Sequence, residues 1–231
     1  MLQKRKVVVT GLGVLAPNGN TTSEYWEALT AGKSGIGPIE SFDASDLSVR
    51  IAGELKGFDP QSFFDRKELR KLDPFTIYHL VSSEEAIKNS GIDLDKTDGD
   101  RIGVIIGTGI GGIQTLENEH GVFSERGQRR VSPFFVPRFI PNIASGNLAI
   151  KFGLKGPNHT VISACASGTD AIGCAMRTIQ YGDADIMITG GTEASITGLT
   201  ISGFGNIKAL STRNDDPTAA SRPFDAERDG F

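Results

Sequence analysis

One stretch of the sequence constrains the fold more than any other. Residues 160–164 form a β-rich run, residues 166–181 place apolar side chains at helical spacing, and residues 185–189 form a second apolar run. Gly182 predicts the end of the helix between the two strands. Because a strand, a helix and a further strand in succession are typical of a parallel sheet, the sequence predicts an α/β fold with layered helices.

The same alternation of strands and helices covers the rest of the chain. Its 231 residues can bury a substantial core and favour one large domain or two small ones. We predict a buried strand over residues 7–10 and another over 101–106, helices over 75–89, 115–123 and 143–152, short strands within 33–60, and a loop over 124–140.

Composition argues against several classes of protein. The formal net charge of −4 does not suggest bulk binding of nucleic acid. No apolar run reaches the length of a membrane span or of the core of a signal peptide, so we expect no membrane association. The two cysteines form neither a C-x-x-C pair nor a zinc pattern, which favours a reduced, cytoplasmic location.

Cys165 is the candidate nucleophile. A predicted strand enters it and a predicted helix leaves it, and Ala166, Ser167 and Gly168 give that helix a first turn of small residues. The N–H groups and the positive dipole end of a helix N-terminus stabilise a thiolate. A lone cysteine is more commonly a small buried residue, and the pattern alone leaves that interpretation open for Cys165. Burial is the favoured interpretation for Cys174, which falls among apolar residues in mid-helix.

Two glycine-rich segments imitate dinucleotide-binding loops. Gly107-x-Gly109-x-x-Gly112 follows a predicted strand and precedes a predicted helix, which keeps an NAD(P)-binding oxidoreductase open as an alternative. No acidic residue ends a following strand at the usual distance, so tight turns and a pocket wall are the favoured interpretation. Gly11-x-Gly13 is a weaker match, because no helix starts after it.

No set of residues predicts a metal site. Asp93, Asp95 and Asp98 approach a calcium-loop pattern, but the spacing is wrong and the closing glutamate is missing. The three histidines share no ligand spacing, and each is predicted to be structural or exposed: His79, His120 and His159. We therefore expect neither a metal nor a cofactor.

Two basic clusters stand out against the acidic net charge. Lys67, Arg70 and Lys71 fall at positions i, i+3 and i+4, which predicts one shared helical face. The second cluster, in the predicted loop, consists of Arg126, Arg129 and Arg130. Either cluster alone would be ordinary solvated charge, but together they indicate a specific acidic partner.

Residues 161–168 (VISACASG) resemble the nucleophile motif of the β-ketoacyl-[acyl-carrier-protein] synthases. Further segments resemble the elongating enzymes of type II fatty acid synthesis: 8–13 (VVTGLG), 130–137 (RVSPFFVP), 156–158 (GPN), 182–185 (GDAD), 209–214 (ALSTRN) and 221–225 (SRPFD). The resemblance covers the whole chain. It implies the thiolase fold, in which two similar layered α/β/α halves stack, with residues 1–231 as the N-terminal half and the C-terminal half absent.

The resemblance also implies the chemistry and the partners. An acyl group passes from acyl-carrier protein to Cys165, malonyl-carrier protein then loses CO₂, and the resulting carbanion attacks the thioester to give a product two carbons longer. The backbone N–H of Cys165 would form part of the oxyanion hole. The strand that enters Cys165 resembles the dimer-contact strand of the family, which implies a homodimer.

Individual residues match functional positions of the family. Ile110, Phe135 and Phe204 match residues of the acyl pocket, with Phe135 contributed across the dimer. Six basic residues match positions that dock the acidic carrier protein: Lys67, Arg70, Lys71, Arg129, Arg130 and Lys208. In the family, two histidines polarise the malonyl carbonyl, and both lie in the second half of the protein. None of the histidines of this chain matches either position. We therefore expect that residues 1–231 alone do not complete the condensation.

Three alternatives stay open at this point. The first is a ketosynthase of a polyketide pathway, which the motifs do not separate with certainty from an enzyme of fatty acid synthesis. The second is an inactive fragment that binds carrier protein without catalysis. The NAD(P)-binding oxidoreductase is the third and the least favoured.

Overall fold

The computed structural model describes residues 5–231, which divide into two compact units. The first unit consists of the described residues up to Gly13 together with Pro60–Ala194. The second consists of Val14–Asp59 and Ser195–Phe231. The predicted α/β class is confirmed, and the parallel sheet belongs to the first unit.

Helices and short strands alternate along the described residues. The α-helices, α1–α8 in chain order, span Thr22–Thr30, Arg66–Leu69, Pro74–Ser90, Ile113–Arg126, Phe135–Phe139, Ile143–Phe152, Ser167–Tyr181 and Gly198–Asn206. The strands, β1–β5, span Gly37–Pro38, Ile51–Ala52, Ile102–Gly107, Asn158–Val161 and Ile186–Gly191. β1 and β2 form an antiparallel pair in the second unit.

The sheet of the first unit is parallel, with strand order β4-β3-β5. On one face, Ile105 of the central strand packs against Ala171 and Ala175 of α7. Successive side chains of a strand point to opposite faces. On the other face, Asn158 of β4 therefore contacts α6, where its side-chain amide donates to the carbonyl of Ser145 at 3.0 Å. Because helices cover both faces, every residue of β3 is buried.

Glycines let the start of α7 approach the sheet closely. A Cβ on Gly107, at the end of β3, would collide with the carbonyl oxygen of Ser167. A Cβ on Gly168 would lie 3.2 Å from the Cα of Gly191, at the end of β5. The first turn of α7 therefore rests on the carboxyl ends of two strands through backbone contacts.

A buried carboxylate joins α3 to α4. Asp73 is the N-cap of α3 and accepts the N–H of Phe75 at 3.3 Å. Its other oxygen accepts the N–H and the hydroxyl of Thr115, in the first turn of α4, at 3.0 and 2.6 Å. Burial raises the pKa of Asp73 above its ordinary value, and the hydrogen bonds from Thr115 and Phe75 oppose that shift.

The predicted buried strand over residues 7–10 is wrong. These residues form no strand, and Val8 and Val9 are 65% and 78% exposed. An apolar β-branched run predicts the capacity to form a strand, but a strand also requires a partner, which local sequence does not specify. The chain beyond it lies against α3 instead, where a Cβ on Gly11 would collide with the carbonyl of Ala86.

Other boundaries shift by a few residues. The helix predicted over 143–152 is confirmed as α6, and that predicted over 75–89 is confirmed as α3. The strand predicted over 160–164 is displaced, because β4 ends at Val161 and the chain then turns toward α7. The predicted loop over 124–140 contains the short helix α5.

Candidate active site

Cys165 lies in the turn between β4 and α7, and its side chain is exposed. The N-cap residue of α7 is Ala166, which provides no side-chain hydrogen bond to the helix. N–H groups at the start of α7 are therefore not used by a side-chain cap and can stabilise negative charge beside the thiol. The predicted position of Cys165 at a helix start is confirmed, whereas its role as a nucleophile stays a prediction.

The turn that carries Cys165 is strained and braced. Ala164 has φ 53°, in the left-handed region that is unfavourable for a residue with a Cβ. The buried hydroxyl of Ser167 donates to the carbonyl of Ala164 at 2.7 Å and accepts the N–H of Ser163 at 2.9 Å. Sequence reasoning identified Ser167 only as a small residue and missed this brace.

The loop that follows β3, residues 108–112, passes beside the turn that carries Cys165; we call it the β3 loop. A Cβ on Gly109 would lie 3.5 Å from the carbonyl oxygen of Ala164. Ile110, the predicted acyl-pocket residue, is the next residue and is half-buried. The structure therefore brings the loop of Ile110 and the turn of Cys165 together.

The glycines of the dinucleotide-like motif serve packing. Gly107 lies against the start of α7, and the N–H groups of Gly109 and Ile110 donate to the carboxylate of Glu193 at 2.6 and 3.2 Å. A pyrophosphate would need such amides, and here an internal carboxylate already occupies two of them. This geometry argues against the NAD(P)-binding alternative.

The other two predicted pocket residues are aromatic residues on helices. Phe135 begins α5 and stacks on Phe139, with the ring centroids 5.8 Å apart. Phe204 lies on α8 in the second unit and contacts Phe231 edge-on, with the centroids 5.7 Å apart. Their contribution to an acyl pocket stays a prediction.

The first basic cluster does not lie on a single helix. α2 ends at Leu69, so Lys67 is helical, Arg70 is the C-cap residue, and Lys71 lies beyond the helix. The prediction of one shared helical face is therefore wrong, because the helix is a single turn. All three side chains are nevertheless exposed, and Nζ of Lys71 lies 5.9 Å from the ring centroid of Phe134.

Phe134 follows the second basic cluster in the chain by four residues. Arg126 lies in the last turn of α4, and Arg129 and Arg130 lie in a short 3-10 helix, all exposed. The sixth predicted docking residue, Lys208, follows α8 in the second unit and is exposed, with φ 58°.

The histidines have the environments that the sequence predicts. His79 is buried in α3, its Nδ1 lies 3.1 Å from the hydroxyl of Ser83, and burial lowers its pKa to about 3. It is therefore neutral at physiological pH. His120 and His159 are exposed, on α4 and β4. Cys174 is half-buried and packs against the cluster of Ile105, as its mid-helix position predicts.

Residues 5–231 contain neither a metal-binding cluster nor a membrane-spanning helix. In this part of the chain no three His, Cys, Asp or Glu side chains come together in a way that could hold a metal ion. None of the helices described is both long and apolar enough to cross a membrane.

An exposed cysteine at the carboxyl edge of a parallel sheet, with helices on both faces, fits a thiolase-like α/β protein, the fold that superposition on solved ketosynthases supports. The chain belongs to the β-ketoacyl synthase family, because the family "Beta-ketoacyl synthase, N-terminal domain" matches residues 4–231. Both the fold and the family expected from the sequence are confirmed.

Known proteins similar to the chain are longer. It is 50% identical over 230 residues to 3-oxoacyl-[acyl-carrier-protein] synthase 2 of Synechocystis sp., covering 100% of the chain and 55% of that relative. A β-ketoacyl synthase from Burkholderia phymatum superposes with a TM-score of 0.87 at 33% identity, over 99% of the chain and 56% of that structure. The AntDE:AntF complex, a type II polyketide ketosynthase with its acyl-carrier protein, superposes with a TM-score of 0.78 at 26% identity, over 90% and 58%.

Proposed function

We propose that the chain supplies the acyl-accepting part of a β-ketoacyl-[acyl-carrier-protein] synthase of fatty acid synthesis, with Cys165 as the nucleophile. The observation that carries the proposal is the exposed thiol at the start of α7, which has no side-chain cap, in a chain of this family. The relative named 3-oxoacyl-[acyl-carrier-protein] synthase 2 supports the reaction class.

The first step is acyl transfer. The thiolate of Cys165 attacks the carbonyl carbon of an acyl thioester, the bond from that carbon to the carrier sulfur breaks, and the carrier leaves as a thiol after taking up a proton. Negative charge on the carbonyl oxygen develops beside the start of α7, where the N–H of Cys165 is the expected donor. The product is an acyl-Cys165 thioester.

The second step is decarboxylative condensation. Malonyl-carrier protein loses CO₂, the carbanion attacks the acyl-Cys165 carbonyl, and the C–S bond breaks to release the thiolate. His79 is buried within α3 and is not exposed to a substrate held at the surface thiol, so we do not assign it the polarising role. The relatives extend beyond the matched length, and we propose that their second half supplies the polarising group. Residues 1–231 expressed alone should therefore give no condensation product.

Mass spectrometry tests the nucleophile. The full-length gene product is incubated with acyl-carrier thioester or with cerulenin, and its intact mass is measured. We expect one adduct on the wild type and on Cys174→Ala, and none on Cys165→Ala. Because Cys174 packs at the helix–sheet interface, it is a matched control for loss of a thiol. An adduct that persists on Cys165→Ala would contradict the proposal.

We also propose that acyl-carrier protein binds at the exposed basic residues of the first unit. Lys71 contacts Phe134, four residues after Arg130 in the chain, which supports the proposal that both clusters meet a single acidic partner. The AntDE:AntF complex supports this partner class, since there a carrier protein is bound to a ketosynthase.

Charge reversal tests the docking surface. Replacing Lys67, Arg70 and Lys71 by glutamate should weaken carrier binding at least about tenfold and reduce the salt dependence of affinity. Lys96→Glu, at an exposed lysine beyond the far end of α3, is the control and should leave affinity unchanged. Equal affinities for the reversed cluster and the control would contradict this surface, and calorimetric titration measures both.

A polyketide ketosynthase is the second candidate, favoured by the superposition on AntDE:AntF. Fatty acid synthesis is better supported, because identity to the Synechocystis relative is 50% against 26% for that complex. Release of reduced, saturated acyl products by a reconstituted fatty acid synthase containing the full-length protein would decide between the two.

We further propose a cytoplasmic homodimer that forms through β4. This strand is at the edge of its sheet, and Asn158, His159 and the following Ile162 are exposed. An exposed edge strand can pair with a second copy of itself.

A further inference from the structure

Glu193 connects the end of β5 to the β3 loop through three hydrogen bonds. Its Oε2 accepts the N–H of Gly109 at 2.6 Å and that of Ile110 at 3.2 Å, and its Oε1 accepts the hydroxyl of Thr108 at 3.2 Å. The same hydroxyl accepts the N–H of Gly111 at 3.2 Å. One carboxylate therefore holds three consecutive N–H groups, two directly and one through Thr108.

The β3 loop lies between this carboxylate and the turn that carries Cys165. A Cβ on Gly109 would lie 3.0 Å from Oε2 of Glu193 and 3.5 Å from the carbonyl oxygen of Ala164. Ile110 is the one large apolar residue of the loop, which is otherwise threonine and glycine. A group attached to the neighbouring Cys165 thus has the backbone of the β3 loop close by, and Ile110 is the one large apolar side chain that this loop carries.

We propose that Glu193 is a positioning residue, which fixes the β3 loop beside Cys165 and thereby promotes acylation of the thiol. This inference rests on the acyl transfer proposed above. Glu193 does not contact the reacting atoms, and it acts through the backbone that places Ile110.

The composition of the loop explains why it requires such an anchor. Three of its five residues are glycines, which have the largest conformational freedom of any residue. Glu193 and its bonds to Gly109 and Ile110 are exposed, so without the carboxylate water takes its place as acceptor and the loop loses its link to the end of β5. A displacement of about 1 Å at a site that orients substrate lowers the rate substantially. Glutamine keeps the length of Glu193 and one oxygen acceptor, so it is the conservative variant.

The experiment compares two reactions of Cys165 in the full-length gene product. One is acylation by a hexadecanoyl-carrier thioester, which depends on accommodating an acyl chain. The other is alkylation by iodoacetamide, a small reagent that carries no acyl chain. For Glu193→Ala we expect the second-order rate constant of acylation to fall about tenfold and that of alkylation to change less than about twofold. Glu193→Gln should recover most of the acylation rate.

The outcomes separate the inference from the function on which it rests. If the wild type is not acylated at Cys165, the proposed function fails. If the wild type is acylated and Glu193→Ala keeps its acylation rate, gains rate, or loses both reactions equally, the positioning role is wrong. Thr108→Val, which removes the hydroxyl between Glu193 and Gly111, is the second variant should Glu193→Ala not fold, and it should lower acylation in the same selective way.

Discussion

At the scale of single residues, a buried hydroxyl keeps the turn that carries Cys165 in a conformation that the chain would otherwise avoid. The left-handed backbone of Ala164 costs about 1–2 kcal/mol in a residue with a Cβ. Ser167 offsets this cost, because its hydroxyl satisfies one backbone acceptor and one donor on either side of that residue. The exposed position of Cys165 thus depends on Ser167, which is buried.

Removing this hydroxyl should destabilise the protein. We expect Ser167→Ala to lower the free energy of unfolding by about 2 kcal/mol, since the N–H of Ser163 loses its partner and the carbonyl of Ala164 keeps only the backbone N–H of Ser167. Thr169→Ala, an exposed neighbour on α7, should change it by less than about 0.5 kcal/mol. Urea unfolding measures both, and equal effects of the two substitutions would show that the brace is unimportant.

At the scale of secondary-structure elements, two aspartate N-caps differ in what they join. Asp65 caps the short, exposed α2 and accepts N–H groups of Lys67 and Glu68. Asp73 is fully buried, caps α3 and also accepts two hydrogen bonds from Thr115 of α4. The first stabilises one turn, whereas the second joins two helices.

Alanine substitution should reveal this difference. Asp73→Ala leaves buried donors on both helices unsatisfied, so we expect a loss of about 3 kcal/mol of unfolding free energy. Asp65→Ala should cost only about 1 kcal/mol, as for an ordinary exposed cap. Thermal and urea unfolding measure the loss of stability in each variant. A larger loss for Asp65→Ala than for Asp73→Ala would contradict the prediction.

An ion-pair network holds the C-terminus of α7 next to β3. Arg101 donates to the carbonyls of Gly182 and Asp183 and pairs with Asp185, which also pairs with Arg5. The hydrogen bond from Arg101, and then that from Arg5, lower the pKa of Asp185 from 3.8 to about 2. A carboxylate with a lowered folded-state pKa stabilises the fold above its unfolded pKa and loses that contribution as it is protonated.

The stabilisation by Asp185 should therefore depend on pH in a defined window. We expect the difference in unfolding free energy between the wild type and Asp185→Asn to be constant above pH 3.8 and to vanish as the pH falls through about 2. Because the pair is exposed, the difference should also shrink at high salt. Denaturation from pH 5 downward measures it, and a difference that grows toward low pH would contradict this assignment.

At the scale of the whole molecule, local patterns predicted more than contacts between distant segments. β3, α7 and β5 follow from apolar periodicity and from the glycine after the helix, and the helix start at Cys165 follows from their order. The failed strand over residues 7–10 needed a partner, and the bonds of Glu193 to the β3 loop join residues more than 80 positions apart. No spacing rule identifies such a pair, because its members belong to different strand ends.

Assembly through β4 is a prediction at this scale. Ile162 follows β4 and is 58% exposed, so Ile162→Lys should place a charge in the proposed dimer interface and shift the full-length protein toward monomers. Ile150→Lys, at an 80% exposed position on α6, is the control and should leave the assembly unchanged. Sedimentation velocity distinguishes the two species, and an unaltered dimer for Ile162→Lys would exclude this face.

The backbone contacts of Gly107, Gly168 and Gly191 have a consequence for how such a protein can diversify. The start of α7 rests on main-chain atoms and the turn before it is braced by Ser167, so neither support involves the side chain of Ile110. If the β3 loop contacts the acyl group as proposed, we expect mutations at Ile110 to alter the range of accepted substrates and to leave the reactivity of the thiol unchanged. Acyl-chain preference and thiol reactivity could then change independently of each other. We expect a directed-evolution library restricted to Ile110 to yield variants with a changed acyl-chain preference and an unchanged reactivity of Cys165.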